Sequence, residues 1–256
     1  MKITLEKIRL SNLDKKNGPN SFLVKYLRPL GDYIAYLLLR LKVRPIAVTY
    51  ANFILVFVAF FVFAFFDPDY RVFAVFLIVI WQLLDIVDGN MARSLNSCSK
   101  YGGFVDHICG LFVLAFFQVS VGIGLYLHPE GSLDILADTV GIESNIQPIV
   151  LIASALSSIA AVHIRLLHAN VQDTFGDKVF HEYEYDFDES IKIGRFAKWV
   201  RIIRNFEYLG GYQIPIMFLA TIFDFLEIAV LFYSFLNLSL LFGYTAKSLY
   251  SFRNNN

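Results

Sequence analysis

Long apolar blocks alternate with short polar segments along most of this chain. Four blocks are about 20 residues or longer, the length that an α-helix needs to cross the ~30 Å hydrocarbon core of a membrane. A further apolar stretch near the C-terminus is too long for one crossing, and Asp224 and Glu227 divide it into two shorter spans. The pattern predicts an all-α polytopic membrane protein with six transmembrane helices. The predicted spans are 46–66, 72–95, 101–127, 148–167, 212–223 and 228–246.

The segment before the first span has a different pattern. From Ser21 to Leu41, apolar residues recur at helical spacing with charged residues between them, which is typical of an amphipathic helix. Pro29 and Gly31 are expected to bend or interrupt it, because proline removes a backbone donor within a helix. We predict an N-terminal amphipathic helix that lies in the membrane interface. The pattern alone fits a soluble helix packed on the domain equally well.

Composition supports the membrane assignment. Hydrophobic residues make up 57% of the 256 residues, charged residues make up 17%, and the mean hydropathy is +0.56. This is too apolar for an ordinary soluble domain. The formal net charge is zero, so overall charge indicates no nucleic-acid partner. The first residues lack the apolar core and small-residue cleavage site of a signal peptide, and we expect no cleaved leader.

The distribution of Lys and Arg predicts the orientation. With six spans, every Lys and Arg except Arg71 falls on one side, while the turns on the other side are acidic. The positive-inside rule places the basic side in the cytoplasm, so both termini are expected to be cytoplasmic. We divide the chain into a cytoplasmic and interfacial segment, 1–45, and a six-helix transmembrane domain, 46–252. The basic segments are the N-terminal stretch, 93–100, 165–204 and the C-terminal tail.

Carboxylates stand where the second predicted span ends. Asp85 and Asp88 are three residues apart, so on a helix they share a face. An ionised group at the edge of the hydrocarbon is costly and usually marks function. Gly89 and Ala92 leave room beside them for a ligand to approach the backbone. Arg93 follows and supplies a planar cation suited to phosphate.

A third carboxylate, Asp106, opens the next apolar block, four residues after Gly102. Three carboxylates near one arginine are typical of a site where Mg²⁺ or Mn²⁺ holds a phosphorylated substrate. A capped helix end with solvated aspartates is the plainer interpretation, but it does not explain the placement of the glycines, the alanine and the arginine.

These residues resemble the signature D-x2-D-G-x2-A-R-x8-G-x3-D-x3-D of the CDP-alcohol phosphatidyltransferase family. The chain departs from it at the fourth aspartate, where it has Gly110. The resemblance implies transfer of a phospho-alcohol group from a CDP-linked alcohol to an acceptor hydroxyl with release of CMP, in phospholipid or related lipid or glycan synthesis. It also implies two divalent ions, membrane lipid as a partner and a homodimer. The matching residues are Asp85, Asp88, Gly89, Ala92, Arg93, Gly102 and Asp106.

The resemblance also assigns roles. Asp85, Asp88 and Asp106 are the expected metal ligands. Substrate-binding positions are expected at Gly89, Ala92 and Gly102, which would line the nucleotide pocket, and at Arg93, which would steady phosphate or the site itself. Thr49 matches the threonine of the family's Pro-Asn-x-x-Thr segment, although Ile46 replaces the asparagine. A hydroxyl bonded to its own helix is the other interpretation of Thr49.

The glycine at position 110 bears on the mechanism, because the fourth aspartate of the family is taken as the general base. Glycine cannot accept a proton. On a helix, His107 lies about 60° to one side of position 110, and a neutral imidazole is a suitable base near neutral pH. We predict that His107 replaces the missing aspartate. A metal-activated hydroxyl without a base, a base from another span, and no catalysis are the alternatives.

Two other functions fit part of the pattern. A non-catalytic homologue that binds nucleotide or lipid without turnover would explain Gly110. An ion-coupled transporter would explain intramembrane carboxylates, but not the spacing of the glycines and Arg93. The expected location is a membrane with the site facing the cytoplasm, a bacterial inner membrane rather than an organelle membrane. The identities of donor and acceptor stay open.

Overall fold

The computed structural model describes residues 4–11, 21–133, 146–175, 202–203, 206 and 209–255. Within these residues the chain forms helices and no strand, which confirms the all-α prediction. Short turns separate several helices, namely a 3₁₀ turn at Pro68–Tyr70 and a π-helical turn at Leu209–Gln213. The helices are α1 (Leu5–Ser11), α2 (Phe22–Arg40), α3 (Pro45–Phe65), α4 (Arg71–Ser94), α5 (Lys100–Leu127), α6 (Gln147–Phe175), α7 (Ile214–Ile222) and α8 (Leu226–Asn255).

Five helices in the described part of the chain are long and apolar enough to cross a membrane. They correspond to five of the six predicted spans, and large apolar side chains such as Ile54, Phe61 and Phe235 are exposed along them. The chain is therefore an integral membrane protein with several spanning helices. The remaining predicted span corresponds to a shorter apolar helix, Leu209–Ile222. The five helices cover Pro45–Phe65, Pro68–Ser94, Lys100–Leu127, Gln147–Leu167 and Leu226–Tyr250.

The predicted boundary between the last two spans is wrong in one respect. Asp224 lies in the turn between α7 and α8, with a left-handed φ of 57°. Glu227, which we expected in the same turn, lies in the first turn of α8 and is fully buried. It accepts hydrogen bonds from the backbone N–H groups of Glu130 and Leu133 and from the Ser132 hydroxyl. These bonds and the positive end of the helix dipole stabilise the carboxylate at this position.

The described residues belong to two compact units. The first contains those within Met1–Ala59, Val72–Gly110 and Phe187–Phe218, and the second contains those within Phe60–Arg71, Leu111–Asp186 and Leu219–Asn256. Every residue of the predicted site lies in the first unit.

In the first unit, α2 is continuous through Pro29 and Gly31, so the helix is not interrupted there. A Cβ at Gly31 would stand 2.7 Å from Cγ2 of Ile86, so this glycine allows α2 to pack closely against α4. Tertiary packing on the buried side of α2 outweighs the local cost of proline. The core beside it contains Ile8, Ala35, Leu39, Val48, Val87 and Met91.

The two sides of α2 differ in exposure. Gly31, Asp32, Ala35 and Leu39 are buried, whereas the opposite side exposes a row of large apolar and aromatic residues. An exposed apolar row with charges at its borders is typical of a helix at a membrane surface. The exposed row consists of Phe22, Tyr26, Leu30, Tyr33, Leu37 and Leu41.

In the second unit, a buried polar network involves Arg71. This arginine is the one cation that the predicted topology places on the acidic side. Its Nη1 lies 2.9 Å from Oε1 of Glu130, and both side chains are 4% exposed. The guanidinium also donates to the carbonyl oxygens of Gly124 and His128. Burial raises the pKa of the Glu130 carboxyl above its usual value, while the Leu226 N–H and the Arg71 guanidinium act in the opposite direction. An ion pair thus neutralises this arginine within the protein.

Candidate active site

The two halves of the motif occupy two helices. Asp85, Asp88 and Arg93 lie in the last turns of α4, and Gly102 and Asp106 lie in the first turns of α5. The start of α5 is capped by Ser99, whose hydroxyl oxygen accepts a hydrogen bond from the Gly102 N–H at 3.0 Å. A Cβ at Gly102 would stand 3.1 Å from that oxygen, so the glycine leaves space for the cap.

Asp88 is the buried carboxylate of the motif, with 6% of its surface exposed. Its Oδ2 accepts a hydrogen bond from the Thr49 hydroxyl at 2.6 Å. The Thr49 oxygen is also 3.4 Å from the Pro45 carbonyl oxygen of its own helix. A hydroxyl has one hydrogen to donate, and the shorter contact to a carboxylate is the stronger of the two. Thr49 therefore positions Asp88, although the two residues are far apart in sequence.

The other two carboxylates are more accessible. Asp85 is half-buried, and Gln82 donates a hydrogen bond to its Oδ2 at 3.4 Å. Asp106 is exposed and lies within electrostatic range of Asp88. Cys109 is within electrostatic range of all three carboxylates, so the structure brings them to the same region of the first unit.

A metal site requires that the ligand side chains lie close enough to share one ion, which is more than lying in the same region. Among the residues that the structure describes, no three His, Cys, Asp or Glu side chains form a group that could hold a metal ion. The chemistry of the donors nevertheless suits a hard cation, since Mg²⁺ and Mn²⁺ prefer carboxylate oxygens. Asp88 is moreover a buried carboxylate whose electrostatic neighbours include a second carboxylate, Asp106. The assignment of Asp85, Asp88 and Asp106 to a metal stays a prediction.

Arg93 lies back along its own helix. A Cβ at Gly89 would stand 3.0 Å from Nη1 of Arg93 and 3.3 Å from Nη2. The Nη2 group donates a hydrogen bond to Oδ1 of Asn90 at 2.7 Å. Gly89 thus provides the space for the guanidinium, which explains physically why this motif places a glycine four residues before an arginine. Ala92 is half-buried. The predicted contacts of Gly89 and Ala92 with the nucleotide stay predictions.

Two polar residues outside the family signature join this arrangement. Asn90 donates from Nδ2 to Oδ1 of Asp32 at 2.8 Å, and both residues are buried. The sequence contains one indication of this role for Asp32, since it shares a helical face with small or apolar residues, Ala35 and Leu39. Asn90 gives no such indication, because a polar residue between Gly89 and Met91 is equally compatible with an exposed helix end.

The position that departs from the signature is open. A Cβ at Gly110 would meet no heavy atom of the described residues within 4 Å. His107, three residues earlier on α5, is half-buried. A Cβ at position 110 therefore meets open space among the described residues. The role of His107 as a base stays a prediction.

Comparison with known proteins identifies the family. Residues 42–178 match the family model for CDP-alcohol phosphatidyltransferase, which is more than half of the chain. The chain belongs to this family. The matched region contains Thr49 and the whole of the motif, so the resemblance seen in the motif is confirmed.

Individual members of the family are similar over shorter segments. Cholinephosphotransferase 1 of Bos taurus is 42% identical over 53 residues, which is 20% of this chain and 13% of that protein. The protein of the same name in Rattus norvegicus is 40% identical over 53 residues, 20% of this chain and 13% of the rat protein. An uncharacterized CDP-alcohol phosphatidyltransferase class-I family protein of Dictyostelium discoideum is 40% identical over 63 residues, 24% of this chain and 15% of that protein. The chain thus spans only a small part of the length of these curated relatives.

Proposed function

We propose that this protein transfers a phospho-alcohol group from a CDP-linked donor to an acceptor hydroxyl and releases CMP, in the synthesis of phospholipid or a related lipid or glycan. The observation that carries the proposal is the buried Asp88 carboxylate, which Thr49 holds at 2.6 Å within electrostatic range of Asp106 and Arg93. Charge neutralisation and positioning are what phosphoryl transfer requires of a protein. Family membership supports the same reaction.

Asp85, Asp88 and Asp106 would hold the Mg²⁺ or Mn²⁺ ions, two in the resembled family. Such ions would supply positive charge to neutralise and orient the diphosphate of the donor. Thr49 fixes the rotamer of Asp88 in advance, which lowers the entropy lost when the ligand set closes. Arg93 lies over Gly89, where its guanidinium supplies a fixed positive charge for phosphate. Gly89, Ala92 and Gly102 would line the pocket for the nucleotide.

The experiment that tests this function is an assay for CMP. Purified protein is incubated with a panel of CDP-alcohols and acceptor lipids, with Mg²⁺ or Mn²⁺ and, as control, with chelator. We expect metal-dependent CMP release with at least one donor. Binding of CDP without CMP release from any donor would instead support the non-catalytic alternative, which Gly110 favours.

His107 is our proposed general base. We expect His107→Ala to lower the rate of CMP release by roughly 10²–10⁴-fold, the usual contribution of a general base, and donor affinity to change little. Gly110→Asp is the complementary variant, because position 110 has room for a side chain. It should restore activity to the His107→Ala protein.

Undiminished turnover in His107→Ala would exclude this histidine as the base. An inactive parent that becomes active as Gly110→Asp would indicate that the natural chain is non-catalytic. His163 is an exposed histidine on α6, and His163→Ala serves as the matched control.

We further propose six spans, with Leu209–Ile222 as the remaining crossing, both termini and the site on the cytoplasmic side of a bacterial inner membrane, and a homodimer. Cys98 is an exposed cysteine in the turn between α4 and α5, whereas Cys109 is buried. A membrane-impermeant maleimide should therefore label intact cells only through a cysteine on the outer side. We expect labelling of Asp69→Cys in a Cys98→Ser background and no labelling of the parent. The reverse pattern would contradict this orientation.

A further inference from the structure

A chain of hydrogen bonds connects the amphipathic helix α2 with the arginine of the motif. Oδ1 of Asp32 accepts from Nδ2 of Asn90 at 2.8 Å. Oδ1 of Asn90 accepts from Nη2 of Arg93 at 2.7 Å. Asp32 is 8% exposed and Asn90 is 3% exposed, so water competes little for the bond between them. A buried carboxylate and a buried amide thus connect α2 to a half-buried guanidinium at the candidate site.

Asp32 determines the orientation of the Asn90 side-chain amide. A side-chain amide presents an acceptor on one atom and two donors on the other. Since a carboxylate only accepts, it selects the NH₂ group of Asn90 and leaves the oxygen for Arg93. Without Asp32 the amide could rotate, and its NH₂ group would then oppose the donors of the guanidinium.

Nearby charged side chains also act on the Arg93 guanidinium, over distances longer than a hydrogen bond. Four side chains lie within electrostatic range of the Arg93 guanidinium, namely Cys98, Arg28, Asp88 and Asp32. Arg28 repels it, whereas the two aspartates attract it from different helices. Carboxylates on two helices, α2 and α4, therefore attract the guanidinium, and Gly89 provides the space beside it.

We propose that Asp32 and Asn90 are positioning residues, which hold Arg93 over Gly89 and so give helix α2 control over the affinity of the site for a nucleoside diphosphate. The inference rests on the proposed function for the identity of the ligand. Neither residue belongs to the family signature that the motif matches.

The test is a double-mutant cycle on the binding of CDP at fixed Mg²⁺ concentration. We expect Asp32→Ala to weaken CDP binding about tenfold, because a hydrogen bond that involves a charged group is lost or misdirected. In an Arg93→Ala background the same Asp32→Ala change should have no effect, because Asp32 acts through Arg93. Equal losses in both backgrounds would overturn the proposal, since they would show a merely structural role.

Two further variants make the test specific. Asp32→Asn retains an oxygen that can accept from Asn90, so its loss of affinity should be smaller than that of Asp32→Ala. Lys25→Ala removes an exposed charge from the same helix and should leave affinity unchanged. If Asp32→Ala fails to fold, Asn90→Ala takes its place in the cycle with the same expected coupling to Arg93.

Binding and turnover separate the two proposals. CDP binding with the expected coupling but without CMP release would reject the transferase function and retain the positioning role. CMP release together with equal effects of Asp32→Ala in the parent and Arg93→Ala backgrounds would support the transferase function and reject the positioning role. A parent protein that binds no CDP at all would overturn both.

Discussion

Asp88→Asn is expected to abolish CMP release while the protein still inserts and folds. Asparagine has the same volume as aspartate, and its Oδ1 can still accept the hydrogen bond from Thr49. What it lacks is the negative charge, which the proposed divalent ion would require of its ligand. Loss of several kcal/mol of charge stabilisation corresponds to a rate lower by at least about 10²-fold.

The measurement is CMP release by purified parent and variant at equal concentrations of folded protein, judged by thermal unfolding in detergent. Asp69→Asn is the matched control, because Asp69 is an exposed aspartate in the 3₁₀ turn before α4. It should retain parental activity. Normal CMP release by Asp88→Asn at ordinary Mg²⁺ would contradict the assignment of Asp88 as a metal ligand.

Arg71→Met is expected to cause the largest loss of stability. The substitution fills a similar volume but leaves Glu130 buried without its cation, and the carbonyl oxygens of Gly124 and His128 lose a donor. Removing one partner of a buried ion pair typically costs about 3–5 kcal/mol. For a chain of this length that corresponds to a melting temperature lower by roughly 6–20 °C.

The pH dependence of this variant follows from Glu130. Burial already raises the pKa of its carboxyl in the folded protein, and the Arg71 cation opposes that rise. Without Arg71 the pKa rises further above the unfolded value. The carboxyl then favours folding most when it is protonated, so Arg71→Met should gain stability relative to the parent as pH falls through the raised pKa.

Two controls accompany the unfolding measurements. Arg253→Met makes the same substitution at an exposed position on α8 and should leave the melting temperature unchanged. Arg71→Met combined with Glu130→Gln should recover part of the lost stability, since no unpaired charge remains at position 130. An Arg71→Met protein as stable as the parent would show that the ion pair contributes nothing.

The sequence alone determined the properties that depend on neighbours along the chain. Five spanning helices follow from runs of apolar residues, because each long helix satisfies its own backbone hydrogen bonds in a membrane. The motif could be placed at the end of α4 and the start of α5 for the same reason. Family membership could also be recognised from these residues, since their spacing is itself a sequence property.

Tertiary structure decided what depends on residues far apart in the chain. Pro29 and Gly31 were predicted to bend or interrupt α2, but α2 is continuous there and Gly31 is a point of close packing against Ile86. Glu227 was predicted in a turn, but hydrogen bonds from residues 130–133 hold it inside α8.

The same holds within the candidate site. The partners of Asp88 and Asn90, which are Thr49 and Asp32, lie 39 and 58 residues away. Hydropathy and helical period report burial and helix faces but not which side chains face each other across helices. A buried polar group must find a partner, and only the packing of the helices decides which one it finds.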